Sequence, residues 1–87
     1  MNRFIFEESV LDDFSLWALH DKQLFKRIVK LLKDIKRSPF EGIGKPEPLK
    51  FSKSGCWSRQ INDEHRLIYK INDEGDILVV SCRGHYE

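Results

Sequence analysis

The sequence has no apolar run of the roughly 18 residues that a membrane-spanning helix requires. Its opening, from Met1 to Glu8, lacks the basic and then apolar pattern of a secretory signal. It contains no internal repeat and no low-complexity segment, which excludes a repeat architecture. We therefore expect a cytoplasmic protein without a membrane partner.

Cysteine is also scarce in this chain. Only Cys56 and Cys82 are present, and a cytosolic protein usually keeps such residues reduced, so we expect free thiols rather than a disulfide. Cys82 and His85 have the spacing of half a zinc site, but no second close pair of ligands accompanies them. We accordingly predict neither a bound metal nor a cofactor.

Length and charge define the setting more closely. The 87 residues, of which 40% are hydrophobic and 11% aromatic, predict one domain spanning residues 1–87. The net charge of +1 is divided unevenly, because residues 21–37 contain seven basic and two acidic side chains, whereas residues 1–20 contain one basic and four acidic. A basic helix over 21–37 is a candidate surface for a polyanion. The alternative is that its lysines form an ordinary solvated helix face.

Hydrophobic periodicity in the first half predicts a strand and two helices. Residues Arg3 to Phe6 suit a short strand, and Asp21 offers an N-cap to the second helix. Ser38 ends that helix because the residue before a proline is pushed out of the helical region. Two helices so briefly connected should pack as a hairpin. The apolar positions are Val10, Leu11, Phe14, Trp17 and Ala18 in the first helix, and Leu24, Phe25, Ile28, Leu31, Leu32 and Ile35 in the second.

The second half predicts a loop and three strands. Residues 39–48 are too rich in proline and glycine for a regular element. Residues 56–61, 66–71 and 77–82 are strand-like and separated by short polar loops, which favours an antiparallel meander. The predicted fold class is α+β, with an N-terminal strand and a helical hairpin packed on a mainly antiparallel sheet. The helices would cover one face of that sheet and leave the opposite face open for function.

Polar residues cluster on the predicted sheet and its flanking loop. Glu47 lies between two prolines that confine its backbone, which suits a fixed general base, although a carboxylate in such a loop is also typical of a solvated surface. Lys50, Arg66 and Arg83 are candidate cations for an anionic ligand. Each is equally compatible with a surface charge or with an ion pair to Glu64.

The end of the chain adds His85 and Tyr86, an imidazole and a phenol. Imidazole titrates near neutral pH, a phenol can stack and donate a hydrogen bond, and Gly84 permits a bend that brings both to one site. A lone terminal histidine is commonly a bystander. The whole set, which lacks the spacing of a Ser or Cys triad, is compatible with metal-free RNA cleavage. In that chemistry a base deprotonates the 2′-hydroxyl, cations stabilise the phosphate and an acid protonates the leaving 5′-oxygen.

Four ordered segments together carry a family resemblance: PFEGIGKPEPLK at 39–50, GCWSR at 55–59, EHRLIY at 64–69 and CRGHY at 82–86. They resemble the YoeB/Txe toxins, a branch of the RelE-type endoribonucleases. The resemblance implies a small RelE-like fold and a type II toxin that inhibits translation by cleaving mRNA in the ribosomal A site. It also implies a partly disordered YefM/Axe-like antitoxin as partner and, often, a toxin homodimer.

The same resemblance implies a role for each matching residue. The catalytic residues would be Glu47 as general base, Arg66 as a phosphate clamp together with Lys50, His85 as general acid and Tyr86 as the group that positions the scissile nucleotide. The supporting or substrate-binding positions would be Arg59, Gln60, Glu64 and Arg83, with Glu64 orienting its neighbours.

Two positions depart from the family pattern. Gln60 stands where the family commonly has a second arginine, and Glu87 follows the tyrosine at which the family commonly ends. Both departures make the site less positive, which predicts weaker catalysis. With a three-residue loop at 62–64, Gln60 would lie opposite Arg66 on the same sheet face. The alternative function is a non-catalytic member of the same fold that binds the ribosome or RNA through the basic helix.

Overall fold

Two consecutive helices and a five-stranded mixed sheet form the fold. The computed structural model describes residues 3–84, apart from the side chain of Ser52. Within these residues, no helix combines the length and the apolar character needed to cross a membrane. The elements are β1 (Phe4–Phe6), α1 (Glu8–His20), α2 (Lys22–Arg37), β2 (Glu47–Pro48), a 3₁₀ turn (Phe51–Lys53), β3 (Trp57–Gln60), β4 (Arg66–Ile71) and β5 (Ile77–Ser81).

The second helix follows the sequence signals closely. The Asp21 carboxylate accepts a hydrogen bond from the backbone N–H of Leu24 at 3.1 Å, which confirms the predicted N-cap. The helix ends at Arg37, just before Ser38 and Pro39, also as predicted. Its apolar stripe is buried, and each of these side chains contributes about 1.5–3 kcal/mol through removal from water. The buried apolar residues of α2 are Leu24, Ile28, Leu31, Leu32 and Ile35.

The sheet has the strand order β1-β5-β4-β3-β2. Strands β3, β4 and β5 form the predicted antiparallel meander, and their ends differ from the predicted ends by at most one residue. The N-terminal strand β1 pairs in parallel with β5, so that the sheet is mixed. The α+β fold class predicted from the sequence is therefore confirmed.

The prediction of a continuous loop over 39–48 is wrong at its end. Glu47–Pro48 forms the short edge strand β2, in which Glu47 pairs with Ser58 and Pro48 with Trp57. Pro48 is tolerated because a proline at a sheet edge lacks only an N–H that would face away from the sheet. The backbone N–H of Leu49 continues the pairing by donating to the Cys56 carbonyl at 2.9 Å.

The two faces of the sheet differ in character. Leu67, Tyr69 and Val79 are fully buried in the core that the helices cover. Successive strand residues alternate between faces, so Ile68 lies on the opposite face, which we call the second face. Ile68 and Ser58 are also buried there, so the prediction of an open second face is wrong at its centre. The accessible part of this face lies nearer the edge strand and the ends of β3 and β4.

Arg59 on β3 is the most connected polar side chain of the core. It is 0% exposed, and its Nη1 donates to Oδ2 of Asp34 on α2 at 2.5 Å. Its Nε donates to the Tyr69 hydroxyl at 3.2 Å, and that hydroxyl donates to the Pro39 carbonyl at 2.6 Å. Hydrogen bonding to Arg59, then to the N–H of Ile43, holds the pKa of the Asp34 carboxyl below its ordinary value. The remaining acceptors of the Arg59 guanidinium are the carbonyls of Ser38, Glu41 and Ile43.

These contacts fix the path of the loop that leads to β2. The backbone N–H of Ile43 donates to Asp34 Oδ2 at 3.0 Å, and the Gly44 carbonyl accepts from the N–H of Gln60 at 2.7 Å. A Cβ on Gly44, whose φ is 80°, would lie 2.8 Å from a methyl carbon of Leu31. Only glycine allows the chain to pass so close to the helix and turn toward Glu47.

We predict that Arg59→Met lowers the melting temperature by at least about 10 °C, because the substitution removes the buried cation that pairs with the Asp34 carboxylate and takes the guanidinium donor away from three loop carbonyls. Thermal unfolding followed by circular dichroism measures the effect. Arg37→Met is the matched control, since Arg37 bonds the same carboxylate at 2.7 Å but is 79% exposed. It should change the melting temperature by no more than about 2 °C. Equal effects of the two substitutions would contradict the structural role assigned to Arg59.

Candidate active site

Glu47 occupies the edge of the second face. Its pairing partner Ser58 lies on that face, and directly paired residues of neighbouring strands share a face, so Glu47 projects to the same side. The side chain is exposed, while Pro46 and Pro48 restrict the backbone on either side. This combination of a confined backbone and an accessible carboxylate is suited to proton abstraction from a bound ligand.

Gln60 and Arg66 form the next row of the second face. They are direct partners across the β3–β4 hairpin, which confirms the register predicted from a three-residue loop. Both side chains are half-buried. From the ordinary spacing of strands and residues, the Cα atoms of Glu47 and Arg66 are about 12 Å apart. A phosphodiester group placed between them lies within reach of both long side chains.

Lys50 follows Glu47 by three residues in the sequence. Lys50 is exposed and immediately precedes the 3₁₀ turn Phe51–Lys53. The backbone N–H of Lys53 donates to the Lys50 carbonyl at 3.2 Å. The described contacts give Lys50 and Arg66 no ion pair with Glu64, the alternative that the sequence left open. Glu64 therefore does not occupy either cation, and both can contact an anionic ligand.

The chain approaches Arg66 again at Gly84. The backbone N–H of Arg66 donates to the Gly84 carbonyl at 2.8 Å, so the segment after β5 runs beside the start of β4. His85, Tyr86 and Glu87 follow this attachment directly in sequence. They lie outside the described residues, and their predicted roles remain predictions.

His65 is a residue of this region that the sequence reasoning missed. The ring is 10% exposed, its Nδ1 accepts a hydrogen bond from the Gly84 N–H at 2.9 Å, and it packs on Trp17 with a centroid distance of 5.0 Å. In the sequence it was only one of four polar residues of a hairpin loop. Asp34 was also missed. Its signal in the sequence was a charged residue beside Leu31 and Ile35, on the apolar stripe of α2.

Three of the predicted supporting residues lie apart from Glu47, Gln60 and Arg66. Arg59 projects to the helix side and is fully engaged there, so it supports the loop rather than contacting a ligand. Arg83 pairs with Asp13 at 3.4 Å and not with Glu64, the ion-pair partner that was one of the two alternatives left open by the sequence. Glu64 is 80% exposed in the hairpin loop, with its Oε1 3.8 Å from Nε2 of His65.

Among the described residues, an apolar cleft lies apart from the second face. It has a volume of about 200 Å³ and lies between α1 and the segment after β5. Its lining includes Leu16, Trp17 and Arg83 but neither Glu47 nor Arg66. An extended polyanion needs an open groove rather than an enclosed cavity, so we retain the second face as the candidate active site.

The cysteines do not contribute to this site. Both are free thiols, as predicted. Burial raises the pKa of the Cys82 thiol to about 11, and its Sγ lies 3.9 Å from the Val10 carbonyl. Within residues 3–84, no group of three or more His, Cys, Asp or Glu side chains is arranged to hold a metal ion.

The sequence and the structure of this chain were compared with those of known proteins. Residues 6–86 match the model of the YoeB-like toxin of bacterial type II toxin-antitoxin systems. The toxin YoeB of Synechocystis sp. is 53% identical over 85 residues, which cover 98% of this chain and 98% of that protein. The toxin YoeB of Escherichia coli K12 is 49% identical over 84 residues, covering 97% and 99% of the two chains.

Solved structures agree with the sequence comparison. A YoeB/ParE toxin from Agrobacterium tumefaciens superposes with a TM-score of 0.92 at 39% identity and covers 97% of this chain and 99% of its own. The toxin of a YoeB-YefM complex from Staphylococcus aureus gives a TM-score of 0.89 at 40% identity, with 99% of both chains covered. A YoeB dimer from the same species gives 0.89 at 42% identity, with 98% of both chains covered. The chain is thus a member of the YoeB-like toxin family of bacterial type II toxin–antitoxin systems.

Proposed function

We propose that this toxin is a ribosome-dependent mRNA endoribonuclease that acts in the cytoplasm and inhibits translation. The observation that supports this proposal most directly is the shared location of Glu47, Gln60 and Arg66 on the second face, beside the attachment of Gly84 to β4. A carboxylate to take up a proton and a guanidinium to stabilise the phosphate are groups that RNA cleavage by 2′-hydroxyl attack requires, and both of these long side chains can reach one phosphodiester.

The proposed reaction needs only groups of the chain and the RNA. Glu47 takes the proton of the 2′-hydroxyl, and the resulting oxygen attacks the adjacent phosphorus. The bond from phosphorus to the 5′-oxygen breaks, and His85 donates a proton to that oxygen, leaving a 2′,3′-cyclic phosphate and a free 5′-hydroxyl. Arg66 and Lys50 would stabilise the additional negative charge of the transition state, and Tyr86 would position the scissile nucleotide.

The proposed partners are an antitoxin, the ribosome and a second toxin molecule. The YoeB-YefM complex and the YoeB dimer of S. aureus support the first and the last of these. For the ribosome, the supporting feature is the exposed basic surface of α2, which carries Lys22, Lys26, Lys30, Lys33 and Lys36. Such a surface favours contact with ribosomal RNA phosphates.

A non-catalytic toxin that only binds the ribosome is the second candidate. It is favoured by the same basic surface and by Gln60, which brings no charge to the row that contains Arg66. Both candidates predict growth arrest when the toxin is expressed without its antitoxin. They differ in whether mRNA is cut and in whether the arrest depends on Glu47 and His85.

We predict that Glu47→Gln and His85→Ala each reduce cleavage of mRNA on programmed ribosomes by about 10²–10⁴-fold, because each removes one proton transfer. Single-turnover cleavage, followed by mapping of the 3′ ends, measures this loss. Glu74→Gln is the matched control, since Glu74 is an exposed carboxylate in the β4–β5 turn and should leave the rate unchanged. Growth arrest that persists in both site variants, without cut mRNA, would support the non-catalytic alternative.

The proposed acid–base pair also predicts a bell-shaped dependence of the cleavage rate on pH. The acidic limb reflects protonation of the base and the alkaline limb deprotonation of the acid, with limits that belong to the coupled site. The measurement is the single-turnover rate across pH on stalled ribosomes. A zinc-selective chelator that spares ribosomal Mg²⁺ should not change the rate. Loss of activity in that chelator, with recovery on adding zinc, would overturn the metal-free mechanism.

Gln60 offers a test of the phosphate clamp. A charged donor forms a roughly twofold stronger hydrogen bond to phosphate than a neutral amide does, so Gln60→Arg should raise the single-turnover rate by up to about tenfold. Gln60→Ala should reduce the rate less than Arg66→Ala, because the guanidinium carries the charge. A different result would show that the glutamine makes an essential contact of its own: no change of the cleavage rate in Gln60→Arg, and a loss in Gln60→Ala as large as in Arg66→Ala.

A further inference from the structure

The segment that follows β5 is held at its backbone by three hydrogen bonds from different parts of the fold. Trp17 Nε1–H of α1 donates to the Cys82 carbonyl at 3.3 Å. The Gly84 N–H donates to His65 Nδ1 at 2.9 Å, and the Arg66 N–H donates to the Gly84 carbonyl at 2.8 Å. Both backbone polar groups of Gly84 are therefore hydrogen-bonded, to the adjacent residues His65 and Arg66 at the start of β4. This is the last described residue before His85.

The bond from Gly84 determines which tautomer the neutral His65 ring adopts. An imidazole nitrogen that accepts an N–H bond cannot itself carry a proton, so Nδ1 is bare and the neutral ring carries its proton on Nε2. Oε1 of Glu64 lies 3.8 Å from Nε2, on the side where that proton is found. Trp17 packs against the ring, so the imidazole orientation is restrained.

We propose that His65 is a positioning residue for the reaction: its Nδ1 fixes the Gly84 amide, the point of the chain that immediately precedes His85 and Tyr86. This inference rests on the proposed function, because it presupposes cleavage that uses those two residues. His65 does not contact the substrate in this account. A general acid displaced by about 1 Å can lose about 10²-fold in rate, which is why a terminal segment requires such attachment.

The geometry of Gly84 explains why a side-chain acceptor is needed here. Its φ of 71° is a left-handed conformation, so the backbone leaves the extended path of β5 at this point. The regular antiparallel ladder cannot supply the acceptor for its N–H once the strand has ended at Ser81. His65, placed by the β3–β4 hairpin and by the bond from the Ile61 N–H to its carbonyl at 3.0 Å, supplies that acceptor instead.

A matched pair of substitutions tests the acceptor. In His65→Asn the amide Oδ1 can take the place of Nδ1, whereas His65→Leu has a similar size and no acceptor. Both variants lose the ring contact with Trp17, so this loss cancels in their comparison. We expect His65→Leu to lower the single-turnover rate at saturating toxin by at least about tenfold, with little change in the half-saturating concentration. His65→Asn should remain within about threefold of the wild-type rate.

Amide hydrogen exchange at Gly84, measured by NMR, provides a readout that does not depend on activity. Exchange should accelerate in His65→Leu and stay near the wild-type rate in His65→Asn, while the thermal midpoints of the two variants remain similar. If His65→Leu does not fold, the donor can be removed instead. Ligation at Cys82 of a synthetic peptide covering residues 82–87, with an ester in place of the Gly84 N–H, leaves His65 intact. This full-length chain should lose at least about tenfold in rate.

The outcomes separate the inference from the proposed function. A wild-type toxin that cuts no mRNA overturns the proposed function, and the positioning role falls with it. If the wild type cuts mRNA and the ester chain or His65→Leu cuts it equally fast, the positioning role alone is wrong. The same conclusion follows if His65→Asn is as slow as His65→Leu although its Gly84 amide is protected.

Discussion

The buried ion pair between Arg59 and Asp34 is the contact on which the arrangement of the molecule depends. It joins the sheet to α2, and the other donors of the same guanidinium hold the carbonyls of Ser38, Glu41 and Ile43. A buried guanidinium is unfavourable unless all of its donors are satisfied. The loop must therefore adopt the one path that supplies these acceptors, and that path delivers Glu47 to the edge of the sheet.

A second attachment acts at the other side of the candidate active site. His65 and Trp17 hold the segment after β5 through the Gly84 N–H and the Cys82 carbonyl. The two attachments have the same character, since in each a buried polar side chain bonds the backbone of an irregular segment. Irregular segments lack the hydrogen bonds of a ladder or helix, and such side chains are the usual substitute. The two irregular segments beside the candidate active site are thus held by side chains of the folded core.

Charge is distributed over the molecule in a way that separates binding from chemistry. The lysines of α2 form a broad exposed surface, whereas the second face carries Arg66 with the neutral Gln60 beside it. Long-range attraction to a polyanion depends on the sum of many charges, and stabilisation of a transition state depends on one or two donors at the reacting phosphate. Under the proposed function, this distribution predicts strong attraction to the ribosome together with a weakened clamp on the scissile phosphate.

The sequence by itself determined the local elements of this protein. The cap at Asp21, the stop before Pro39, the positions of β1, β3, β4 and β5 and the Gln60–Arg66 pairing were predicted correctly, because each depends on residues close together in the chain. Only the tertiary structure decided the pairing of β1 with β5, the strand at Glu47, the partner of Arg83 and the bond from Gly84 to His65. These contacts join distant segments, and which acceptor a buried donor finds depends on how the layers pack, which no local pattern records.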